Sequence, residues 1–509
     1  MSDMRTSSRI PRLHCGLLRI ALIGSMTGLL ACLSLGQKPP AGAVNPAVVL
    51  IDGSGMTWWA DRHRAVLEAV HAHPDSELLL IGDSITQNYE KANPPDEDFQ
   101  PTWKQFYEPR KALNLGYSGD TTGHVLWRLA NGEIDGLHPK VALVSIGTNN
   151  TAWAQTTEQT EAGIDAVVAS LEERLPKTRV LLLGILPSDI SDAKTAADCA
   201  VNRYLTRRYG EGSRVTYLDI GSIFYKNGAL NASIYYDPRL PQHGRPLHPD
   251  TNGQRMMAEA IEPTLARLMG DAPRVPLESM TEINTALIPV PRLEIDFYDW
   301  YARHRAELEM QKTMKPQVVL IGDSITHMWD GLPASSRVNG PTTWKRVFGG
   351  LLTLNMGFGW DRTQNVLWRL QQGEFEGIRP RWVVLAIGTN NLMGTGNARA
   401  NTPEEIAEAI AEICHEVHER SPESRIVLMA IFPRGAQADH FLRAPIAKTN
   451  QLLARRFAGD STVTYIDLAA QFLASDGSLP AALMPDQTHP SDAGYRIWAD
   501  ALIRAGVRP

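Results

Sequence analysis

Cysteine is scarce, with four residues in a chain of 509. Cys15 and Cys32 fall in an N-terminal leader, and Cys199 and Cys414 do not occupy matching places in the two halves. A disulfide framework is therefore not expected, and both are read as small buried hydrophobes. A basic block is also missing: 50 Lys and Arg against 56 Asp and Glu give a formal net charge of −6, mixed along the whole chain. That excludes a strip able to follow a phosphate backbone, and with it nucleic acid as a partner. The longest largely apolar run, residues 20–35, is short for a stable membrane span. His71 and His73 are two apart and would not share a helix face, so they are read as surface residues and not as metal ligands. What remains, 43% hydrophobic and 21% charged residues, is the make-up of folded, soluble material in two or three domains.

The first 44 residues read differently. Arg5, Arg9, Arg12 and Arg19 precede the apolar run, which has the length and flanks of an export signal. Two processing sites stay open. Residues 29–32, Leu-Leu-Ala-Cys, look like a lipoprotein box, whereas Ala41-Gly42-Ala43 suits ordinary signal cleavage. The expectation is an exported protein, periplasmic or extracellular, meeting a membrane only through a lipid anchor at Cys32.

The rest of the chain is written twice. Residues 80–86, LIGDSIT, recur letter for letter at 320–326, and IGTNN at 146–150 recurs at 387–391. VLWRL at 125–129 recurs at 366–370, and VTY at 215–217 recurs at 463–465. Asn114 and Asn355, Asn149 and Asn390, and His248 and His489 are each 241 positions apart. The pattern is a tandem duplication of a domain-sized unit. Its parts are a leader at 1–44, a first domain at 45–272, a linker at 273–290 punctuated by Pro273, Pro276 and Pro289, and a second domain at 291–509.

Each copy alternates short aliphatic runs with longer amphipathic ones. The runs are residues 78–81, 112–115, 141–146, 180–185 and 215–220 in the first copy. They are 318–321, 351–356, 382–387, 426–431 and 463–468 in the second. Such runs suit strands buried on both faces, and helical patterns at 161–175 and 403–420 lie between them. The expected fold is two doubly wound α/β domains with mostly parallel sheets. In such sheets ligands bind beyond the C-terminal strand ends, where Gly82-Asp83-Ser84, residues 116–120 and Gly147-Thr148-Asn149 would converge.

The residue types there have a joint use. Ser84 would present its hydroxyl at a strand-to-helix turn, but a serine hydroxyl is a weak nucleophile without a base. His248 and His489, late in each copy, are the natural bases. Asn149 and Asn390, with backbone N–H groups at the serine and near Gly119, supply the donors an oxyanion needs. The ingredients amount to acyl transfer by a serine nucleophile.

These motifs, together with residues 114–120 (NLGYSGD) followed by 124–129 (HVLWRL), resemble the SGNH superfamily of GDSL hydrolases. They are similar there to esterases of the platelet-activating factor acetylhydrolase α-subunit type. The resemblance implies flavodoxin-like three-layer α/β/α domains, ester hydrolysis through an acyl-enzyme, and no cofactor or metal. In the second copy it implies Ser324 as nucleophile, Asn390 and the Trp360 backbone N–H as oxyanion donors, Asp486 as acid and His489 as base. In the first copy it implies Ser84, Gly119, Asn149 and His248. Two positions depart from the family pattern. Arg245 stands three residues before His248 where the acid belongs, which would disfavour an imidazolium; Asp237, Asp250 or a backbone carbonyl could orient the histidine instead. Trp360 stands where the first copy has Gly119, and would wall the pocket, narrowing the acyl site or stacking on a substrate ring, or would simply fill loop space. The second copy is thus expected to be the main catalyst.

The expected substrate is a short acyl ester, acetyl above all, on a small molecule or carbohydrate. A lysophospholipase or thioesterase, and a non-catalytic carbohydrate-binding protein built from two decayed hydrolase domains, are the competing readings.

Overall fold

The computed structural model describes residues 44–210, 214–226, 228–236 and 246–508. The leader, Arg245 and Asp237 lie outside them. The chain divides into two compact units, one holding the residues up to Tyr217 with Phe224–Ala258, the other Leu218–Ile223 with Glu259–Pro509.

The first copy builds a five-stranded sheet from β1 (Leu78–Gly82), β2 (Ala112–Gly116), β3 (Val141–Ser145), β4 (Arg179–Leu183) and β5 (Val215–Leu218), ordered β2-β1-β3-β4-β5. The second repeats it with β6 (Val318–Gly322), β7 (Thr353–Gly357), β8 (Trp382–Ala386), β9 (Arg425–Met429) and β10 (Val463–Ile466), ordered β7-β6-β8-β9-β10. The central strands pair in parallel, Leu80 with Asn114 and Leu143, Leu320 with Asn355 and Val384.

The unbroken aliphatic runs follow from burial on both faces. In β6, Val319 and Ile321 pack with Ile406, Ile410 and Ile413 of the helix Pro403–Arg420. Val318 and Leu320 point the other way, against Trp329, Phe472 and Trp498. Each such side chain contributes about 1.5–3 kcal/mol, which holds a short strand without any alternation of polar residues. The helix Pro403–Arg420 spans the expected residues and opens with a capping box between Thr402 and Glu405. Its first-copy counterpart runs Thr157–Arg174, four residues earlier than the apolar pattern begins, because Thr156 and Gln159 form the same box.

The stretch after Pro276 contains a short 3-10 turn, Thr285–Leu287, whose Ala286 carbonyl accepts from Thr363 Oγ1 at 3.0 Å. Pro46–Val48 does the same in the first copy, where Thr122 Oγ1 reaches Ala47 at 2.7 Å. Cys414 is buried and free. Cys199 corrects the expectation of a small buried hydrophobe: it sits half-buried on the helix Asp192–Arg208 and is disulfide-bonded. Among the described residues no helix is long and apolar enough to cross a membrane.

Candidate active site

The strands β1 and β6 end in Gly82 and Gly322, where an added Cβ would run into the Thr86 or Thr326 hydroxyl and the neighbouring strand's carbonyl. Glycine therefore lets the next helical turn and the neighbouring strand pack directly against the strand end. Asp83 then caps a single helical turn, Ser84–Gln87, accepting from the Ile85 N–H at 3.0 Å. Asp323 caps Ser324–His327 in the same way at 2.9 Å. Burial pushes both caps up to about 7, opposed mainly by those N–H groups.

The capped turn delivers the serine to the histidine. Ser84 Oγ lies 2.8 Å from His248 Nε2, and Ser324 Oγ lies 2.8 Å from His489 Nε2. In the second copy the relay continues, with His489 Nδ1 2.6 Å from Asp486 Oδ2. The other Asp486 oxygen accepts the backbone N–H groups of His489 at 2.7 Å and Thr488 at 3.0 Å, a turn closed by Gln487 at φ 63°. Burial alone would raise the Asp486 carboxyl, but its bonds to His489 and Thr488 hold it below the usual range. It is therefore an ionised partner for an imidazolium. In the first copy Asp250 accepts the Gly253 N–H at 2.8 Å in the first turn of the last helix.

The backbone N–H groups of Ser84, Gly119, Ser324 and Trp360 have no acceptor among the described residues. Unpaired N–H groups beside a nucleophile are what an oxyanion needs. Asn149 Nδ2 donates to the Asp120 carbonyl at 2.9 Å, and Asn390 Nδ2 to the Asp361 carbonyl at 3.0 Å. One hydrogen of each amide thus fixes its orientation and leaves the second for a reacting oxygen. The structure brings together Ser324, His489, Asp486, Asn390 and Trp360 in one copy, and Ser84, His248, Gly119 and Asn149 in the other. Trp360 stands at φ 66° and is 40% exposed, so its indole lies at the rim and does not fill the interior of the loop.

Several contributors escaped the reading of the sequence. Gln87 Oε1 accepts the Ser118 N–H at 2.7 Å, and His327 Nδ1 accepts the Gly359 N–H at 3.3 Å. Each thereby pins the residue just before the candidate oxyanion donor. The first position after the shared heptamer, where the copies differ, was the only trace of this pair. Arg128, within the repeated WRL, reaches Asp120 Oδ2 at 2.8 Å, the Leu115 carbonyl at 3.1 Å and the Gly82 carbonyl at 3.3 Å. Arg369 reaches Asp361 Oδ2 at 2.9 Å and also pairs with Glu374. Trp59 and Trp300 donate to the second oxygens of Asp120 and Asp361 at 2.9 and 2.7 Å. The loop carrying the candidate oxyanion donor is thus bolted to the strand ends. Among the described residues no group of histidine, cysteine and carboxylate side chains could hold a metal.

Comparison with known proteins points to one family. The sequence pattern of the GDSL-like lipase/acylhydrolase family matches residues 80–256 and again 320–497. The alpha1 subunit of platelet-activating factor acetylhydrolase IB from Bos taurus is 35% identical over 203 residues, 40% of this chain and 80% of that protein. The Homo sapiens alpha1 subunit is 34% identical over 222 residues, 43% of this chain and 89% of that one. Among solved structures, the acetylxylan esterase Axe2 from Geobacillus stearothermophilus superposes with a TM-score of 0.31 at 21% identity, covering 38% of this chain and 95% of its own. With the family pattern matched once in each copy, the chain belongs to the GDSL-like lipase/acylhydrolase family.

Proposed function

We propose that the protein is an exported serine esterase that removes acetyl and other short acyl groups from carbohydrate, with the second copy as the main catalyst. The observation that carries this is the continuous relay from Ser324 through His489 to Asp486, at 2.8 and 2.6 Å. His489 takes the serine proton as Oγ attacks the ester carbonyl. The oxyanion settles on the N–H groups of Ser324 and Trp360 and the Asn390 amide. His489 then protonates the departing alcohol, and a water attacks the acyl-enzyme by the same route in reverse.

Short acyl groups are favoured by the likeness to proteins named acetylhydrolases. Carbohydrate is favoured by export, for which the arginine-flanked run at 20–35 argues, since a protein outside the cytoplasm meets acylated sugars readily. In the first copy the residue three before His248 is Arg245. By the family pattern that position holds the acid, and a cation in its place would disfavour an imidazolium, so Ser84 is read as the slower nucleophile or as part of a site that binds without efficient turnover.

The test is hydrolysis of p-nitrophenyl esters from acetyl to octanoyl by the protein and by its Ser84→Ala and Ser324→Ala variants, each checked for folding. The proposal expects fastest turnover of acetyl and loss of most activity with Ser324→Ala only. Loss mainly with Ser84→Ala would reverse the assignment of the copies. A preference for octanoyl would replace the deacetylase with a lysophospholipase or thioesterase.

A further inference from the structure

The two copies exchange a tryptophan and a glycine across the oxyanion corner. Position 119 is glycine and position 153 tryptophan; 241 residues on, position 360 is tryptophan and position 394 glycine. Trp153 comes from the end of the short helix after the Gly-Thr-Asn loop, whereas Trp360 comes from the oxyanion loop itself. They nevertheless arrive beside the same oxyanion residue. A Cβ added to Gly119 would lie 4.0 Å from Trp153 Cζ2. Each site therefore has one indole at its oxyanion corner, supplied from a different loop.

Both indoles are left in solvent, and each lies at a residue or next to one in the left-handed region. Trp153 is 58% exposed and Trp360 is 40% exposed, although burying an aromatic of this size is strongly favourable. Trp360 is itself at φ 66°, and Ala154, next to Trp153, is at φ 58°. For residues with a Cβ this conformation costs about 1–2 kcal/mol, and such strain gathers at functional sites. Glycine at 360, as at 119, would remove it.

We propose that Trp153 and Trp360 are stacking platforms for a pyranose ring of the ester's alcohol part, one at the rim of each site. A single flat indole in a polar rim offers an apolar face to the C–H groups of a sugar ring and leaves its hydroxyls in water. An extended acyl chain would instead call for a continuous apolar groove. The inference rests on the reading of the substrate as an acylated carbohydrate, and it assigns the residue that recognises the sugar.

The experiment compares two acetyl esters in the full chain, partially acetylated xylotetraose and ethyl acetate, which has no ring. In Ser84→Ala protein, Trp360→Gly should lower the ratio of kcat/KM for the sugar ester to that for ethyl acetate about tenfold or more, through KM. Any disturbance of the oxyanion donor affects both esters and cancels in the ratio. Adding Gly394→Trp to Trp360→Gly transplants the first copy's arrangement and should restore most of the ratio; a Cβ at 394 meets nothing closer than 3.5 Å. Trp153→Ala in Ser324→Ala protein should lower the same ratio. If acetylated xylotetraose is cleaved but the ratios stay within twofold, the platforms are wrong and the carbohydrate reading stands. If it is not cleaved while ethyl acetate is, both fall.

Discussion

The N–H of Gly359 points at Nδ1 of His327, 3.3 Å away, just as the N–H of Ser118 points at Oε1 of Gln87, 2.7 Å away. A ring nitrogen can accept only when unprotonated. Burial, with Arg303 nearby, pushes His327 down to about 2, so it stays neutral across any working pH. His327→Gln in Ser84→Ala protein should keep kcat within a few-fold, with a pH–rate profile of unchanged shape. His327→Leu should lower kcat roughly 10²-fold, the scale of one lost oxyanion donor, with little change in KM. Equal losses in both variants would show that His327 serves packing alone.

Asp486 stands three residues before His489, where the first copy has Arg245. Replacing it with asparagine keeps the shape but removes the charge that steadies the imidazolium. In Ser84→Ala protein, Asp486→Asn should lower kcat for p-nitrophenyl acetate on the order of 10⁴-fold, about 5 kcal/mol of barrier. Retention of a tenth or more of the activity would mean that the relay does not run through Asp486.

The parts of this site that could be read in the sequence are those whose chemistry is carried by residue type at a strand end. Ser84 and Ser324 follow buried aliphatic strands, and His248 and His489 precede the last helix of each copy. Repetition then separated them from accident. Gln87 and His327 were not legible, because a side chain that accepts a backbone N–H leaves no periodic mark. Arg128 and Arg369 recurred visibly, yet their role depends on Asp120 and Asp361 folding over them, and charged residues in a sequence look like surface. The exchange between Trp153 and Trp360 needed both loops placed at one corner. The start of the helix Thr157–Arg174 was missed because polar capping, not apolar spacing, begins it.

The buried caps predict a pH dependence of stability. An aspartate that titrates near 3.8 when unfolded and near 7 when folded gives up its proton more readily in the unfolded chain. Its contribution to stability is full below about pH 4 and is lost as pH rises to about 7, at about 1.4 kcal/mol per pH unit. Asp323→Asn keeps an oxygen for the Ile325 N–H and removes the titration. Relative to the parent, the variant should gain stability steadily from pH 4.5 to 7, by up to roughly 3 kcal/mol, and level off above. Urea midpoints across that range check this, and parallel curves would show that Asp323 does not titrate there.

Arg369 and its partners allow a prediction from the size of two opposing effects. The guanidinium and Glu374 are almost completely shielded from water, and Asp361 is 2% exposed. Removing a partner from a buried pair leaves an uncompensated charge and costs about 3–5 kcal/mol, far more than the pair's own net contribution. Arg369→Met should therefore destabilise the second unit by that amount, measured by urea unfolding, and should also slow Ser324, because Asp361 carries the carbonyl that orients Asn390. Lys312 and Glu309 form a pair at 2.5 Å as well, but with side chains 64% and 71% exposed. Lys312→Met should cost under about 1 kcal/mol, since solvent already screens that attraction. If the two substitutions cost the same, the network beneath the oxyanion loop is hydrated, and the loop is held by packing of Trp300 and Phe358 instead.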